Sequence, residues 1–280
     1  MKKLLLRTLT GFLYVALIVC SLLWGGVIGF TSLCGLFALF GMLEFLRLTK
    51  GTLSGHVASS VTDILIGLSL VSMLALSDGA LYMAEVWFTV IGVLFAVRVI
   101  MQLYLHTPDP VRDIALSGMS VVYVALPLTA AVWFYYLFGP QVLLLVFIMI
   151  WLNDTGAFLV GSMIGRHRLF ERLSPKKSWE GFWGGLLFCV LAGWLANMIF
   201  PGYFGGSAVL YIILGIIVSV FSTWGDLFES MLKRTVGVKD SGNILPGHGG
   251  MLDRIDSLLF VVPAVSGYFF FITNILNSIF

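Results

Sequence analysis

Residues 141–164 read QVLLLVFIMIWLNDTGAFLVGSMI, a run long enough to cross a bilayer as a helix, with Asp154 its only charge. The rest of the chain repeats the pattern. Across 280 residues, 59% are hydrophobic and 11% charged, with 23 Phe and eight Trp, and the mean hydropathy is +1.03. A soluble domain cannot hide that much apolar surface. Further candidate spans lie at about 6–24, 26–46, 57–77, 84–105, 114–137, 179–200, 207–232 and 255–277. The expectation is therefore an all-α, polytopic integral membrane protein with about nine transmembrane helices. The third segment is the weakest of these, because Asp63 and Asp78 leave only a short uncharged stretch between them.

The N-terminal Lys2-Lys3 followed by an apolar run also fits a signal peptide, and Cys20 invites a lipoprotein reading. Val19 is not the small residue that such cleavage needs, so the first segment is read as a retained helix. Cys34 and Cys189 lie in apolar segments with no CxxC spacing, which indicates neither a disulfide framework nor a thiolate metal site.

Basic residues fix the expected orientation. With nine spans and a cytoplasmic N-terminus, 15 of the 16 Lys and Arg fall on the inner side, and the outer turns near 25, 78–83, 138–140 and 201–206 carry none. The sixteenth, Arg98, is expected on the inner half of the fourth span, where a long side chain can snorkel. Two regions are expected: N-terminal transmembrane helices over 1–140, and over 141–280 a C-terminal transmembrane region with loops facing the cytoplasm. No internal repeat or soluble domain is evident.

Charge, Gly and His concentrate in residues 230–256, SMLKRTVGVKDSGNILPGHGGMLDRID. Cations, carboxylates and bare backbone N–H groups packed so closely suit a site for phosphate and a divalent metal. Asp226, Ser230 and Lys233/Arg234 stand at i, i+4 and i+7/i+8 and share one helix face. Asp253 and Asp256, at i and i+3, open the last helix just after His248, Gly249 and Gly250, where a helix N-terminus and two glycines can offer N–H groups to an anion. A metal between Asp226 and Asp253 would tie two helices together. Loop charges solvated at the membrane surface are the alternative.

Two further clusters bear on this site. In SPKKSWEG, residues 174–181, Lys176 and Lys177 suit phosphate and Ser174 and Ser178 are hydroxyl donors. The same residues equally suit anionic lipid headgroups, and Pro175, Ser178 and Glu180 also read as ordinary helix-start punctuation. Asn153 and Asp154 interrupt an apolar span, and an ionised Asp facing lipid costs about 2.5–3.5 kcal/mol. Asp154 is thus expected to face a hydrated cavity or a cation, with a polar contact between helices as the alternative. Glu44 and Arg47 read as a capping or interface pair, and His56, His106 and His167 as interfacial. Gly25/Gly29, Gly161/Gly165 and Gly181/Gly185 read as marks of close helix packing.

Together these residues resemble a known family. Ser230, Lys233-Arg234, Lys239-Asp240, Pro246, His248-Gly249-Gly250, Asp253-Arg254 and Asp256, at their spacings, resemble the signature of the phosphatidate cytidylyltransferases, or CDP-diacylglycerol synthases. Gly225-Asp226, SPKKSWEG and Asn153 to Ala157 resemble further family motifs, with Phe158 where Tyr is usual and Ser178 where Thr is usual. The likeness covers the C-terminal half; residues 1–140 share only helical, apolar character.

The resemblance implies transfer of CMP from CTP to phosphatidate in phospholipid biosynthesis, with Mg²⁺ required and K⁺ a candidate second cation. It implies Asp226 and Asp253 as metal ligands, with Asp256 and Asp154 in support. Lys233, Arg234, Lys239 and Arg254 would neutralise substrate phosphate, and Lys176 and Lys177 would close over it. Asp240 belongs with Lys239 in the catalytic run, and His248 either donates to phosphate or shapes its turn. Ser174, Ser178, Ser230, Gly249 and Gly250 complete the expected substrate contacts. Expected partners are CTP, phosphatidate of the inner leaflet and the membrane, with no nucleic acid; a homodimer is left open. The expected location is the cell inner membrane, multi-pass, with the active site facing the cytoplasm. A CTP-dependent polyprenol or phytol kinase and a non-enzymatic anion transporter are the alternatives.

Overall fold

A computed structural model describes residues 2–51, 57–77, 81–201, 207–242, 244 and 249–279. Their helices are α1 (Lys2–Leu23), α2 (Gly26–Lys50), α3 (Val57–Ser77), α4 (Leu81–Tyr104), α5 (Pro110–Ser120), α6 (Leu126–Ile164), α7 (Trp179–Ile199), α8 (Ala208–Thr235) and α9 (Leu252–Ile279). A π-helical turn, Val121–Ala125, joins α5 to α6. Six helical runs among the described residues are long and apolar enough to cross a membrane: Gly26–Lys50, Glu85–Tyr104, Pro110–Ile164, Trp179–Ile199, Ala208–Thr235 and Leu252–Asn274. The chain is a membrane protein built almost wholly of helices. Among the described residues the exception is a hairpin of β1 (Arg168–Phe170) and β2 (Ser174–Ser178), in the stretch between two expected spans.

Several helix breaks among the described residues have a local cause. Gly139 at φ 81°, followed by Pro140, interrupts α6 where the turn at 138–140 was expected. Gly26 at φ 61° turns α1 into α2. Asp109 caps α5, accepting the Arg112 N–H at 3.0 Å, with Pro110 at the first helical position.

The chain divides into two compact units. The first is Met1–Pro140 with Val236–Ile255. Its core includes Phe30 stacked on Tyr135 at 5.1 Å, with Phe37, Met42, Phe45 and Leu46 buried along α2. Arg98 does not snorkel, contrary to expectation. It is 3% exposed, and its guanidinium pairs with Asp63 at 2.9 Å and Asp113 at 3.2 Å, while donating to Ser117 and Gln102. Lys50 completes the cluster, 2.9 Å from Asp113 and 3.3 Å from Asp63. Ser117 Oγ accepts from Lys50 and Arg98 and donates to Asp63, which fills the whole capacity of a hydroxyl. Two cations and two carboxylates from α2, α3, α4 and α5 thus cancel inside the unit, which is how α3 carries Asp63.

The second unit is Gln141–Thr235 with Asp256–Phe280. Glycine brings its helices close. A Cβ on Gly181 would lie 2.9 Å from the Ala157 carbonyl and 3.3 Å from Gly161 Cα, so the Gly161/Gly165 and Gly181/Gly185 pairs do mark the α6–α7 approach. Gly25/Gly29 does not: nothing lies within 4 Å of a Cβ on Gly29, and that pair marks the α1–α2 turn instead. Asn153, 2% exposed, accepts from Ser219 Oγ at 2.7 Å and donates to Ser222 Oγ, joining α6 to α8. At the base of the hairpin, Glu180 accepts the N–H groups of Arg166 and His167 and lies 2.6 Å from His167 Nδ1. His167 is therefore half of a clamp. His56 lies outside the described residues.

Candidate active site

Gly225 explains how the second unit gathers its carboxylates. A Cβ there would sit 2.8 Å from the Asp256 carbonyl and 3.1 Å from Ser257 Cα, so α8 and α9 meet at this point only because the side chain is absent. Asp226, next along α8, is thereby set beside Asp256 on α9. One turn on, Glu229 joins them, and the ligand oxygens of Asp226, Glu229 and Asp256 all lie within 4.8 Å of one another. Among the described residues this is the one group of three or more such side chains able to share a metal ion.

Lysines balance the cluster. Lys177 Nζ, reaching in from β2, is 2.7 Å from Asp226 Oδ2, and Lys233 Nζ is 2.6 Å from Glu229 Oε2. Ser230 Oγ donates to Asp226 Oδ1 at 3.3 Å, and the Ser257 N–H donates to Asp256 Oδ1 at 2.7 Å. Three carboxylates against two ammonium groups leave one formal negative charge. An all-oxygen, acidic donor set suits a hard divalent cation.

The strand alternation of β2 separates the two lysines of SPKKSWEG. Lys177 faces the carboxylates, whereas Lys176 is exposed. Ser178 Oγ accepts the Gly181 N–H at 3.1 Å as the cap of α7, the helix-start role its sequence also suggested, and Ser174 is half-buried in the same strand. Arg234 donates to the Leu173 carbonyl of the hairpin turn. Asp154 is exposed, unlike the neighbouring Asn153.

The rest of the charged run belongs to the first unit. Asp253 Oδ2 accepts from Ser241 N (2.9 Å), Ser241 Oγ (2.9 Å) and Gly250 N (2.8 Å). Gly249 has φ 82°, and a Cβ on it would be 2.7 Å from that same oxygen. Lys239, Asp240 and Arg254 are exposed. His248 and Pro246 lie outside the described residues. The N–H groups of Met251 and Leu252, expected to await an anion, donate to Glu44 at 2.9 and 2.8 Å.

Sequence reading missed Glu229, and it read Glu44 only as a capping or interface pair with Arg47, not as the cap of α9. Glu229 was legible in principle, standing three residues after Asp226 and four before Lys233 on one helix face. Glu44 carried no such signal, because its partners lie about 200 residues away.

A family model described as the cytidylyltransferase family matches residues 5–272. The chain is 45% identical over 159 residues to the phosphatidate cytidylyltransferase of Staphylococcus saprophyticus, a match covering 55% of this chain and 58% of the relative. It is 46% identical over 158 residues to that of Staphylococcus aureus, with the same coverage. To that of Staphylococcus epidermidis it is 34% identical over 272 residues, covering 93% of this chain and 96% of the relative. The chain's match thus spans little more than half the length of the first two relatives and nearly all of the third.

Proposed function

Because the chain belongs to the cytidylyltransferase family, we propose that it transfers CMP from CTP to phosphatidate, giving CDP-diacylglycerol and pyrophosphate. A phosphatidate oxygen attacks the α-phosphorus of CTP, the bond from that phosphorus to the bridging oxygen breaks, and pyrophosphate leaves. Such a displacement needs positioning and charge neutralisation rather than a covalent intermediate. The observation that carries the reading is the cluster of Asp226, Glu229 and Asp256 with Lys177 and Lys233 against it.

Asp226 and Asp256 would hold the divalent cation, with Glu229 beside them. When bound, the cation supplies charge stabilisation to the triphosphate oxygens. Lys177 and Lys233, relieved of some carboxylate charge, are the ammonium donors for phosphate. Asp154 supports from α6. Asp253, assigned to the cation by resemblance, supplies a carboxylate fixed by its own turn, and Lys239, Arg234 and Arg254 are assigned to phosphate by charge.

We place the chain in the cytoplasmic membrane with about nine crossings, the N-terminus and the charged loops inside. Support comes from the distribution of Lys and Arg, which the pairing of Arg98 within the first unit leaves undisturbed.

The experiment is incubation of the purified protein with CTP, Mg²⁺ and phosphatidate. Label on the cytosine should enter the lipid phase, and label on the γ-phosphate should stay in water as pyrophosphate. Entry of γ-phosphate alone would make the chain a kinase, and entry of neither label would exclude both.

A further inference from the structure

Glu44 sits within α2, in the part of the chain that carries no recognisable motif, yet it is only 2% exposed and holds the signature turn. Its Oε1 accepts the Met251 N–H at 2.9 Å. Its Oε2 accepts the Leu252 N–H at 2.8 Å and lies 2.9 Å from the Ser241 hydroxyl oxygen. The first turn of α9 therefore takes its cap from a distant helix rather than from a neighbouring residue. Two glycines make room for it. A Cβ on Gly242 would meet the Glu44 side chain, and one on Gly250 would collide with both Glu44 and Ser241.

Ser241 connects this carboxylate to Asp253. Its hydroxyl lies 2.9 Å from Glu44 Oε2 and 2.9 Å from Asp253 Oδ2, and its backbone N–H donates to the same Asp253 oxygen. A hydroxyl has one proton, so it donates to one carboxylate while lying against the other. Asp253 Oδ2, which also accepts the Gly250 N–H at 2.8 Å, is thus linked through Ser241 to Glu44.

We propose that Glu44 is a positioning residue for CMP transfer, fixing the Ser241–Gly250–Asp253 turn from outside the signature. The proposal rests on the activity assigned above and on Asp253 taking part in it. It also gives residues 1–140 a defined part in the reaction.

Glu44→Gln is the variant of choice because it keeps shape and removes one acceptor. Whichever way the amide turns, an NH₂ faces a donor that the carboxylate accepted. In detergent, folded Glu44→Gln should show amide exchange at Ser241 and at Gly250, Met251 and Leu252 faster by about 10-fold or more, with the later turns of α9 unchanged. It should lower kcat by about 10-fold or more while leaving KM for CTP within about 3-fold, the pattern of lost alignment rather than lost binding. Unchanged exchange, or unchanged kcat with faster exchange, overturns the proposal. If Glu44→Gln does not fold, Ser241→Ala takes its place: it removes only the linking hydroxyl and should give the same fall in kcat, and normal turnover overturns the proposal. Should the wild-type protein transfer no CMP, the assigned activity fails separately, and the exchange comparison alone decides whether Glu44 holds the turn.

Discussion

Lys176 and Lys177 are adjacent in sequence and differ in what they face. Lys177 reaches Asp226 at 2.7 Å, whereas Lys176 is exposed on the other side of the strand. Replacing Lys177 by Gln should lower kcat/KM by about 10-fold or more, since a charge-assisted contact is worth about 1.5–3 kcal/mol. Lys176→Gln should stay within about 3-fold of wild type in neutral detergent, where an anionic-lipid tether has nothing to bind. Equal losses in both variants would return the loop to a single undivided role. At Glu229 the prediction is a graded one. Glu229→Gln keeps its shape but loses the charge that holds Lys233, so it should raise the Mg²⁺ concentration needed for half-maximal rate, as read from a metal titration. These residues also show what sequence can carry. Asp226, Asp256 and Lys177 were readable because their types and spacings are chemical; which lysine turns inward depended on a two-residue strand period that a short Pro-containing loop did not reveal.

At the level of elements, the packing of α8 on α9 is set at Gly225. An added methyl group would come to 2.8 Å from the Asp256 carbonyl, a distance that backbone cannot yield cheaply. Gly225→Ala should therefore cut CMP transfer sharply without removing any functional group, a result checked by activity alongside thermal unfolding in detergent. The cluster of Lys50, Asp63, Arg98 and Asp113 makes a separate prediction. Removing one partner leaves an uncompensated buried charge, at a cost of about 3–5 kcal/mol. Asp63→Asn should lower the unfolding temperature of the purified protein markedly; an unchanged unfolding temperature would show that the cluster does not hold α3 and α4. Helix ends were legible from apolar run lengths, glycines and prolines, as at Gly139-Pro140. The ion-pair cluster was not, because its members are spread over α2 to α5 and nothing in their spacing pairs them. That is why Arg98 was expected to snorkel.

For the molecule as a whole, the two units divide the signature between them. Asp226 and Asp256 fall in the second, Lys239 to Arg254 in the first, and α9 passes from one to the other between Ile255 and Asp256. The linear motif gave no hint of that division, since spacing records order along the chain and not partnership in space. It also hid the contribution of Glu44, whose contacts are made across nearly the full length of the sequence. The central claim is that the carboxylates of the second unit hold the divalent cation on which CMP transfer depends. Its most direct test is the initial rate of cytosine-label transfer from CTP to phosphatidate, measured against Mg²⁺ concentration for wild type and for Asp256→Asn. The wild-type rate should vanish with chelator and return with Mg²⁺, while the folded variant stays below about 1% of it at every ordinary Mg²⁺ concentration, a loss of at least about 2.7 kcal/mol in transition-state stabilisation. A variant that matched the wild-type rate and its Mg²⁺ dependence would contradict the account.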